Sequence, residues 1–369
     1  MVQQRSVTYV NNTTPLSITT KELDLENCVN DNQVAIKIHS AALNPVDSVI
    51  SHAANKWLVG SSLKTVGMDY AGVLVKRGKN VDPKFQIGDK VNGFISHAFG
   101  DQGSYSDYLI IDPSKQSAIG HMNNFDYLDD DVKARFSDFD INASYPLVFG
   151  TAYDGLFSNG QLLNSRSRIL VNGASTAVSQ CLIQIAKKHL NVETVVGICN
   201  SKSFEYNKKA GFDHLIAYDE SNCLEKVQSI IKDKFNGQKF DLIFDSVGTS
   251  EFFPIIDTIL KPRAEGSLYT TVAGSNKLKY TGGLKEYVSV LPLWNYAASW
   301  NPRRHYNYTY TMVWPKPAIM ELASLMVSKK QFIPPLDSVY PFEEFQTAMD
   351  KLNTNQAKGK IILEINKDY

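Results

Sequence analysis

Apolar, strand-like segments alternate with helical segments after Pro146, and this rhythm constrains the fold more than any other feature of the sequence. The strand cores are Arg168–Asn172, Thr194–Cys199, Phe240–Phe244 and Leu268–Val272. Strands that are separated by helices form parallel sheets with the helices packed on their faces. The sequence therefore predicts an α/β fold with a doubly wound parallel sheet in this part of the chain.

Short alternating strands broken by turns fill the chain before Ser114. These predicted strands are Val34–Ile38, Gly72–Val75, Asp89–Phe94 and Tyr105–Ile111, preceded by one within Met1–Thr14. The acidic stretch His121–Asp140 is predicted to be a solvated loop. Tyr306–Met312 alternates aromatic and other residues, and we favour an edge strand there over the lining of a substrate pocket. Because 369 residues exceed the usual size of a single core, we expect two domains.

The composition argues against several classes of protein. Thirty-eight basic residues balance 38 acidic ones, so no overall field attracts nucleic acid. No stretch reaches the roughly 18 apolar residues that a membrane span requires, and Met1–Thr14 lacks a targeting pattern. Cys28, Cys181, Cys199 and Cys223 show no paired spacing, which predicts neither disulfides nor a zinc knuckle and suits a reducing, cytoplasmic compartment.

A strand, a glycine and a helix meet at residues 168–187. Gly173 follows the strand core, and the backbone N–H groups at the start of the helix suit a pyrophosphate. Those groups belong to Ala174, Ser175, Thr176, Ala177 and Val178. Only the first glycine of a dinucleotide fingerprint is present, because Thr176 and Ser179 stand at the two later positions. Taken alone, the motif leaves binding and non-binding equally open.

The end of the second strand of the predicted sheet distinguishes between coenzymes. An NAD-type site places an acidic residue there for the ribose 2′-hydroxyl, whereas Cys199–Ser203 contains none. Lys202 and Ser201 instead offer a cation and a hydroxyl for a 2′-phosphate, which predicts NADPH. The alternative, compatible with this one, is that Ser201 or Ser203 caps the following turn.

Further motifs occur in a fixed order along nearly the whole chain. They are Ala42–Asp47, Gly67–Val73, Phe85–Val91, Gly103–Tyr108, Pro146–Tyr153, Phe240–Gly248 and Ala357–Ile361. In these motifs the chain resembles the medium-chain dehydrogenase/reductase superfamily. Within that superfamily it resembles the zinc-independent quinone oxidoreductase-like branch, and within the branch a fungal subgroup. The resemblance implies a GroES-like β-barrel domain of residues 1–142 completed by 316–369, a Rossmann domain of residues 143–315, an active cleft where they meet, and a homodimer.

The resemblance also implies roles for single residues. Asn44 would face the reacting centre and Thr151 the nicotinamide, while Lys202 and Tyr218 would flank the 2′-phosphate. The other residues expected along the cofactor are Asn200, Val247, Ala273 and Gly274. Asn44 either donates to a substrate carbonyl oxygen or holds the turn before Pro45.

Zinc-containing members of this superfamily place a Cys in the segment that is Asn44–Asp47 here, and a His-Glu pair at Met68 and Asp69. A thioether and a lone carboxylate do not hold catalytic zinc, so no metal is expected. Hydride transfer to a quinone or an α,β-unsaturated carbonyl needs orientation and hydrogen bonds rather than a Lewis acid. We interpret Asp47 as a turn acceptor, and Val49 stands where quinone oxidoreductases commonly have a Tyr.

Three hypotheses follow from the sequence. The first is an NADPH-dependent reductase of a small-molecule substrate, and the second is a sensor or scaffold of the same fold that binds nucleotide weakly or not at all. The third is peripheral attachment to a lipid surface, of a lipid droplet or mitochondrion, through the aromatic and basic segment Tyr287–Trp314. For that segment, packing under an insertion or at a subunit contact is the favoured alternative. Its key residues are Trp294, Trp300, Arg303 and Arg304.

Overall fold

A computed structural model describes residues 1–96, 99–115, 117–220, 222–290, 297 and 305–367. The chain divides into two compact units. The first consists of Met1–Gly150, Tyr280–Tyr287 and Trp314–Tyr369, and the second of Thr151–Lys279 and Val288–Val313. Residues 291–296 and 298–304, with Trp294, Trp300, Arg303 and Arg304, lie outside the described residues, so lipid attachment through them stays a prediction, as does the homodimer.

The strands are β1 (Val2–Tyr9), β2 (Ser17–Leu23), β3 (Val34–Ala42), β4 (Lys64–Thr65), β5 (Asp69–Arg77), β6 (Lys90–Ile95), β7 (Tyr108–Ile111), β8 (Ser117–His121), β9 (Arg168–Asn172), β10 (Thr194–Cys199), β11 (His214–Ala217), β12 (Leu242–Asp245), β13 (Leu268–Thr271), β14 (Tyr308–Tyr310), β15 (Leu336–Pro341) and β16 (Lys360–Glu364). The α-helices are α1 (Pro45–Ala53), α2 (Lys56–Val59), α3 (Asp130–Arg135), α4 (Asp138–Ala143), α5 (Pro146–Phe157), α6 (Ala177–Gln184), α7 (Phe204–Ala210), α8 (Cys223–Lys234), α9 (Ile256–Ile259), α10 (Gly283–Val290), α11 (Pro317–Ser328) and α12 (Phe345–Asn353). No helix of the described residues is long and apolar enough to cross a membrane.

The second unit is built on a parallel sheet. Its strands lie in the order β11-β10-β9-β12-β13-β14, and every neighbouring pair is parallel. In chain order within the unit this is 3-2-1-4-5-6, so the strand order reverses between β9 and β12. Ligands of doubly wound folds bind outside the carboxyl ends of the strands at this reversal point. The doubly wound sheet predicted from the sequence is therefore confirmed.

The first unit is built mainly on antiparallel pairs. Strand β3 pairs with β5, β7 and β16, while β6 links β5 to β8. Strand β1 joins β2 and β4 in another sheet. Because β16 comes from the end of the chain and β3 from its beginning, the tail is part of the core of this unit.

The acidic stretch His121–Asp140 differs from its prediction. It forms the end of β8 and the helices α3 and α4, and the side chains of Phe136 and Phe139 are buried. Asp129 is the N-cap residue of α3, and Asp130 and Asp131 lie in its first turn, where negative charge is favourable beside the positive end of the helix dipole. The three acidic side chains are exposed, as expected, but the interpretation as a loop was wrong, because a run of acidic residues also marks a helix start.

The last residues of the aromatic segment do form an edge strand. Strand β14 pairs with β13 at the end of the sheet, and the side chains of Tyr306 and Tyr308 are buried against the same core as Tyr269. The first unit extends to Gly150 and includes Tyr280–Tyr287, which the predicted boundaries at 142 and 315 had placed with the parallel sheet. The segment Tyr280–Tyr287 contacts the rest of the first unit through the Tyr280 carbonyl, which accepts from the Ser48 hydroxyl at 3.5 Å.

Candidate functional site

The turn after β9 requires glycine at its first position. Gly173 has φ +86°, and a Cβ there would lie 2.4 Å from Cγ2 of Val247 and 2.6 Å from Oγ of Ser246. Both neighbours follow β12, the strand beside β9 at the point where the strand order reverses. The turn therefore brings the carboxyl ends of the two central strands together, where a doubly wound fold binds its ligand.

The start of helix α6 has both used and unused backbone donors. The N–H groups of Ala174 and Thr176 donate to the carbonyls of Ile198, at 2.9 Å, and Gly173, at 3.1 Å. Within the described residues, no acceptor contacts the N–H groups of Ser175, Ala177 and Val178. Of the five donors expected from the sequence, three are therefore available to an anion, at the positive end of the helix dipole.

Hydroxyl groups fill the place of the two missing glycines. The Thr176 hydroxyl lies 2.9 Å from that of Ser179 and 3.0 Å from that of Ser246. It also accepts from the Ser179 N–H at 3.2 Å, which caps α6. Ser246 donates in turn to the Asn172 carbonyl at 2.9 Å. These contacts turn the Thr176 hydroxyl toward the sheet and join α6 to the ends of β9 and β12.

A chain of buried amides fixes the direction of the Ser175 hydroxyl. Gln180 donates from Nε2 to the Ala174 carbonyl and to Oδ1 of Asn207, both at 2.9 Å. A carbonyl only accepts, so the orientation of Gln180 is determined, and that of Asn207 follows from it. Asn207 then donates from Nδ2 to the Ser175 Oγ at 2.8 Å. The Ser175 hydroxyl hydrogen is left to donate elsewhere, next to the unused N–H groups.

Asp219, an acidic residue just after β11 that the sequence analysis missed, contacts the turn at the end of β10. Ser201 donates from its N–H and from its hydroxyl to the two carboxylate oxygens of Asp219, each at 2.8 Å. These hydrogen bonds hold the pKa of Asp219 below its ordinary value, so the group is charged at neutral pH. Asn200, rather than Ser201 or Ser203, caps the turn by accepting from the Lys202 N–H at 3.1 Å. A direct donation by Ser201 to a 2′-phosphate would require Asp219 to release it.

The side chain of Tyr218 is 60% exposed beside this turn, and its N–H donates to the Cys199 carbonyl at 3.1 Å. Lys202 is exposed on the same turn. The structure therefore brings Ser201 and Asp219 into direct contact at the ends of β10 and β11, with Lys202 and Tyr218 next to them in the chain.

The loops after β12 and β13 are tied together by a buried carboxylate. Asp245 accepts from the N–H groups of Val247 at 3.1 Å and Gly248 at 3.0 Å, and from the Thr271 hydroxyl at 3.3 Å. Thr271 accepts from the N–H groups of Ala273 and Gly274, at 3.2 and 3.1 Å. Burial raises the pKa of Asp245. Val247 thus lies in the loop after β12, and Ala273 and Gly274 lie in the neighbouring loop after β13, at the carboxyl ends of the two strands.

Asn44, the first of the two predicted catalytic residues, lies in the first unit and is buried. Its amide donates to the Ala42 carbonyl at 3.2 Å and to Asp69 at 2.9 Å, while its Oδ1 accepts from the Lys360 ammonium at 2.5 Å. Asn44 is also the N-cap residue of α1, with Pro45 following it. Because both amide hydrogens are engaged, this geometry favours the turn-holding role; donation to a substrate would require one hydrogen bond to open.

Asp47 is buried in the same cluster. Its Oδ2 accepts from the Asn44 N–H at 2.8 Å and from the Tyr105 hydroxyl at 2.7 Å, which agrees with a turn acceptor. Burial nevertheless raises the pKa of Asp47 to about 7, because removal from water disfavours the charged form more than the two donors favour it.

The donor set near Asp69 does not fit catalytic zinc. The carboxylate of Asp69 is paired with the Lys360 ammonium at 2.9 Å, and both side chains are buried. Its other oxygen accepts from the Leu147 N–H at 2.7 Å. A cation already neutralises the carboxylate, and no group of three His, Cys, Asp or Glu side chains in the described part of the chain is placed to hold a metal ion.

Thr151, the second predicted catalytic residue, is largely buried in α5. It lies one helical turn before Gly155, where a Cβ would come within 2.5 Å of the Phe244 ring, so this part of α5 packs on β12. Its place near a nicotinamide stays a prediction. The residues that sequence reasoning missed are Asp219, Asn207, Ser246 and Lys360, although Asp219 directly follows Tyr218 and the order of strands could have placed it beside Ser201.

Two family models match the chain. The alcohol dehydrogenase GroES-like domain matches residues 30–119, and the zinc-binding dehydrogenase model matches residues 210–363. Two full-length relatives are Protein YIM1 of Candida glabrata, 47% identical over 100% of both chains, and Protein YIM1 of Saccharomyces cerevisiae, 42% identical over 99% of both chains.

A quinone oxidoreductase from Coxiella burnetii has the same fold. The TM-score is 0.73 at 19% identity, over 99% of this chain and 100% of the other. The predicted combination of a GroES-like domain with a Rossmann domain is thereby confirmed. The chain belongs to the medium-chain dehydrogenase/reductase superfamily, together with the fungal YIM1 proteins.

Proposed function

We propose that this protein is a zinc-independent, NADPH-dependent reductase that transfers hydride to a quinone or an α,β-unsaturated carbonyl. One observation carries the proposal. The N–H groups of Ser175, Ala177 and Val178 at the start of α6 are paired with no described residue, at the point where the strand order of a 3-2-1-4-5-6 sheet reverses. Unpaired donors at a helix start attract a pyrophosphate.

The proposed contacts follow the coenzyme along the sheet edge. The three N–H groups and the Ser175 hydroxyl would bind the pyrophosphate, with Gly173 and Ala174 allowing its close approach. Lys202 and Tyr218 would lie at the 2′-phosphate, Lys202 as its charge partner. The other residues proposed along the coenzyme are Thr176, Asn200, Ser201, Val247, Ala273 and Gly274, with Thr151 at the nicotinamide.

Bound NADPH would supply the hydride, and the protein would supply orientation and hydrogen bonds. Zinc independence is supported by the Lys360 ammonium, which neutralises Asp69 in the first unit. Asn44 and Asp69 would then shape that unit rather than hold a metal. In this proposal, the match to a zinc-binding dehydrogenase model reflects a shared fold and not a bound zinc ion.

Titration of NADPH into the purified protein tests the proposal. A ligand that binds the folded state raises the melting temperature by mass action, and coenzyme fluorescence should change in parallel. No response at millimolar NADPH would instead favour the sensor or scaffold. A screen of NADPH oxidation over quinones, enones and aldehydes then identifies the substrate class.

The variant Lys202→Ala tests the coenzyme assignment. It should weaken NADPH at least about tenfold while leaving NADH within about twofold, because only NADPH carries the phosphate that the ammonium would pair. Lys209→Ala, an exposed change on helix α7, is the control and should leave both dissociation constants unchanged. Equal loss of both coenzymes in Lys202→Ala would contradict the assignment.

A further inference from the structure

A doubly wound fold binds the adenosine ribose at the end of its second strand, which is β10 here. The charge of the side chains around this turn differs from what the sequence alone indicates. Asp219 follows β11, the strand beside β10, and reaches Ser201 with both carboxylate oxygens at 2.8 Å. The single cation of this turn, Lys202, is thus accompanied by an adjacent anion within the described residues.

Two physical effects of Asp219 oppose a 2′-phosphate. The carboxylate occupies the Ser201 N–H and hydroxyl, two donors that the turn after β10 would otherwise offer to the phosphate. It also adds a negative charge beside a ligand group that carries nearly two. Neither effect acts against NADH, whose ribose 2′-hydroxyl can donate to a carboxylate.

We infer that Asp219 is the specificity-determining residue that limits the preference of this site for NADPH over NADH. The inference rests on the proposed function, since it concerns the coenzyme that the reductase would use. Lys202 attracts the 2′-phosphate and Asp219 opposes it, so the unaltered protein prefers NADPH over NADH less strongly than Lys202 alone would dictate.

The isosteric variant Asp219→Asn separates these effects from a merely structural one. The Asn Oδ1 can still accept from the Ser201 N–H, and its Nδ2 can donate to the Ser201 Oγ, which keeps the turn and releases the hydroxyl hydrogen. We expect fluorescence titration to show NADPH binding about tenfold tighter, as for one gained charge-assisted hydrogen bond, with NADH binding unchanged or weaker. If Asp219 only holds the turn, the two dissociation constants will move together.

Two further variants sharpen the test. Glu220→Gln removes the same charge from the next, exposed residue and should change the ratio of the two dissociation constants less than about twofold, because among the described contacts only Asp219 engages the Ser201 donors, so this change releases none of them. Ser201→Ala should abolish most of the gain in NADPH affinity that Asp219→Asn brings, a coupling that a double-mutant cycle measures.

The outcomes distinguish this inference from the function on which it rests. If wild type and folded variants bind both coenzymes and Asp219→Asn leaves their ratio unchanged, the role of Asp219 is refuted and the reductase proposal stands. If no folded variant binds either coenzyme, the proposed function fails and the inference fails with it. A melting curve of each variant shows that it is folded.

Discussion

At the scale of single residues, Gly173 is the position of the candidate site at which we expect a substitution to be tolerated least. We expect Gly173→Ala to lower the free energy of unfolding by about 2–4 kcal/mol, since it combines backbone strain at positive φ with a clash. The clash is with Val247 and Ser246, 2.4 and 2.6 Å from the new Cβ. Urea unfolding measures the loss, and NADPH titration should show no binding.

Gly160→Ala is the matched control for that variant. Gly160 also has positive φ, +77°, but a Cβ there would meet nothing within 4 Å. It should therefore lose only about 1 kcal/mol, the cost of the backbone conformation. An equal loss in the two variants would mean that the loop after β12 moves aside easily, and that the turn is not rigidly shaped for a ligand.

The raised pKa of Asp47 predicts how the free energy of unfolding depends on pH. Its pKa is about 7 in the folded protein and about 3.9 in an unfolded chain, so between these values the folded state holds a proton that the unfolded state has lost. Stability from this group is fully present below about pH 4 and falls as pH rises to about 7, by a few kcal/mol. Denaturant unfolding at a series of pH values measures the slope.

The variant Asp47→Asn should flatten this slope, because an amide keeps an acceptor for the Tyr105 hydroxyl but does not titrate. Burial also raises the pKa of Asp140 and Asp245, so a smaller downward slope should remain. A profile that stays as steep in Asp47→Asn as in the wild type would show that Asp47 is ionised throughout this range.

At the scale of elements, the start of helix α6 replaces two glycines by a hydroxyl cluster. Thr176→Ala removes the N-cap acceptor of the Ser179 N–H and the contact with Ser246. We expect a loss of about 1–2 kcal/mol in thermal or urea unfolding. Ser229→Ala, at an exposed position within helix α8, should change stability by less than about 0.5 kcal/mol. Similar values for the two would show that the cluster does not hold the helix start.

Sequence patterns predicted the elements whose period is strong and local. Strands β9 and β10 have the predicted bounds, since each is a short apolar run between polar turns. The prediction of a loop at Asp129–Asp131 was wrong because charge alone does not distinguish a solvated loop from a helix start. The contact of Ser201 with Asp219 was missed because it joins two strands through their pairing in the sheet, which local spacing does not report.

At the scale of the whole molecule, the first unit is closed by contacts between distant parts of the chain. Strand β16 pairs with β3, and the Lys360 ammonium reaches Asn44 and Asp69, 316 and 291 residues earlier in the chain. The resemblance indicated that the tail completes this domain, but no pattern in the sequence pointed to a buried ion pair. A Lys in the motif Ala357–Ile361 would ordinarily be expected at the surface.

This buried pair predicts a stability effect much larger than that of a surface pair. Lys360→Met removes one partner and leaves the Asp69 charge buried and unpaired, which should cost about 3–5 kcal/mol in the unfolding transition of the first unit. Adding Asp69→Asn removes that charge while the amide oxygen still accepts from the Leu147 N–H, so the double variant should recover much of the loss. Lys367→Met breaks the pair with Glu364, in which the lysine side chain is 67% exposed, and should cost less than about 1 kcal/mol. If the double variant is as unstable as Lys360→Met alone, the lysine stabilises the unit through its packing and its bond to Asn44, and the ion pair itself contributes little.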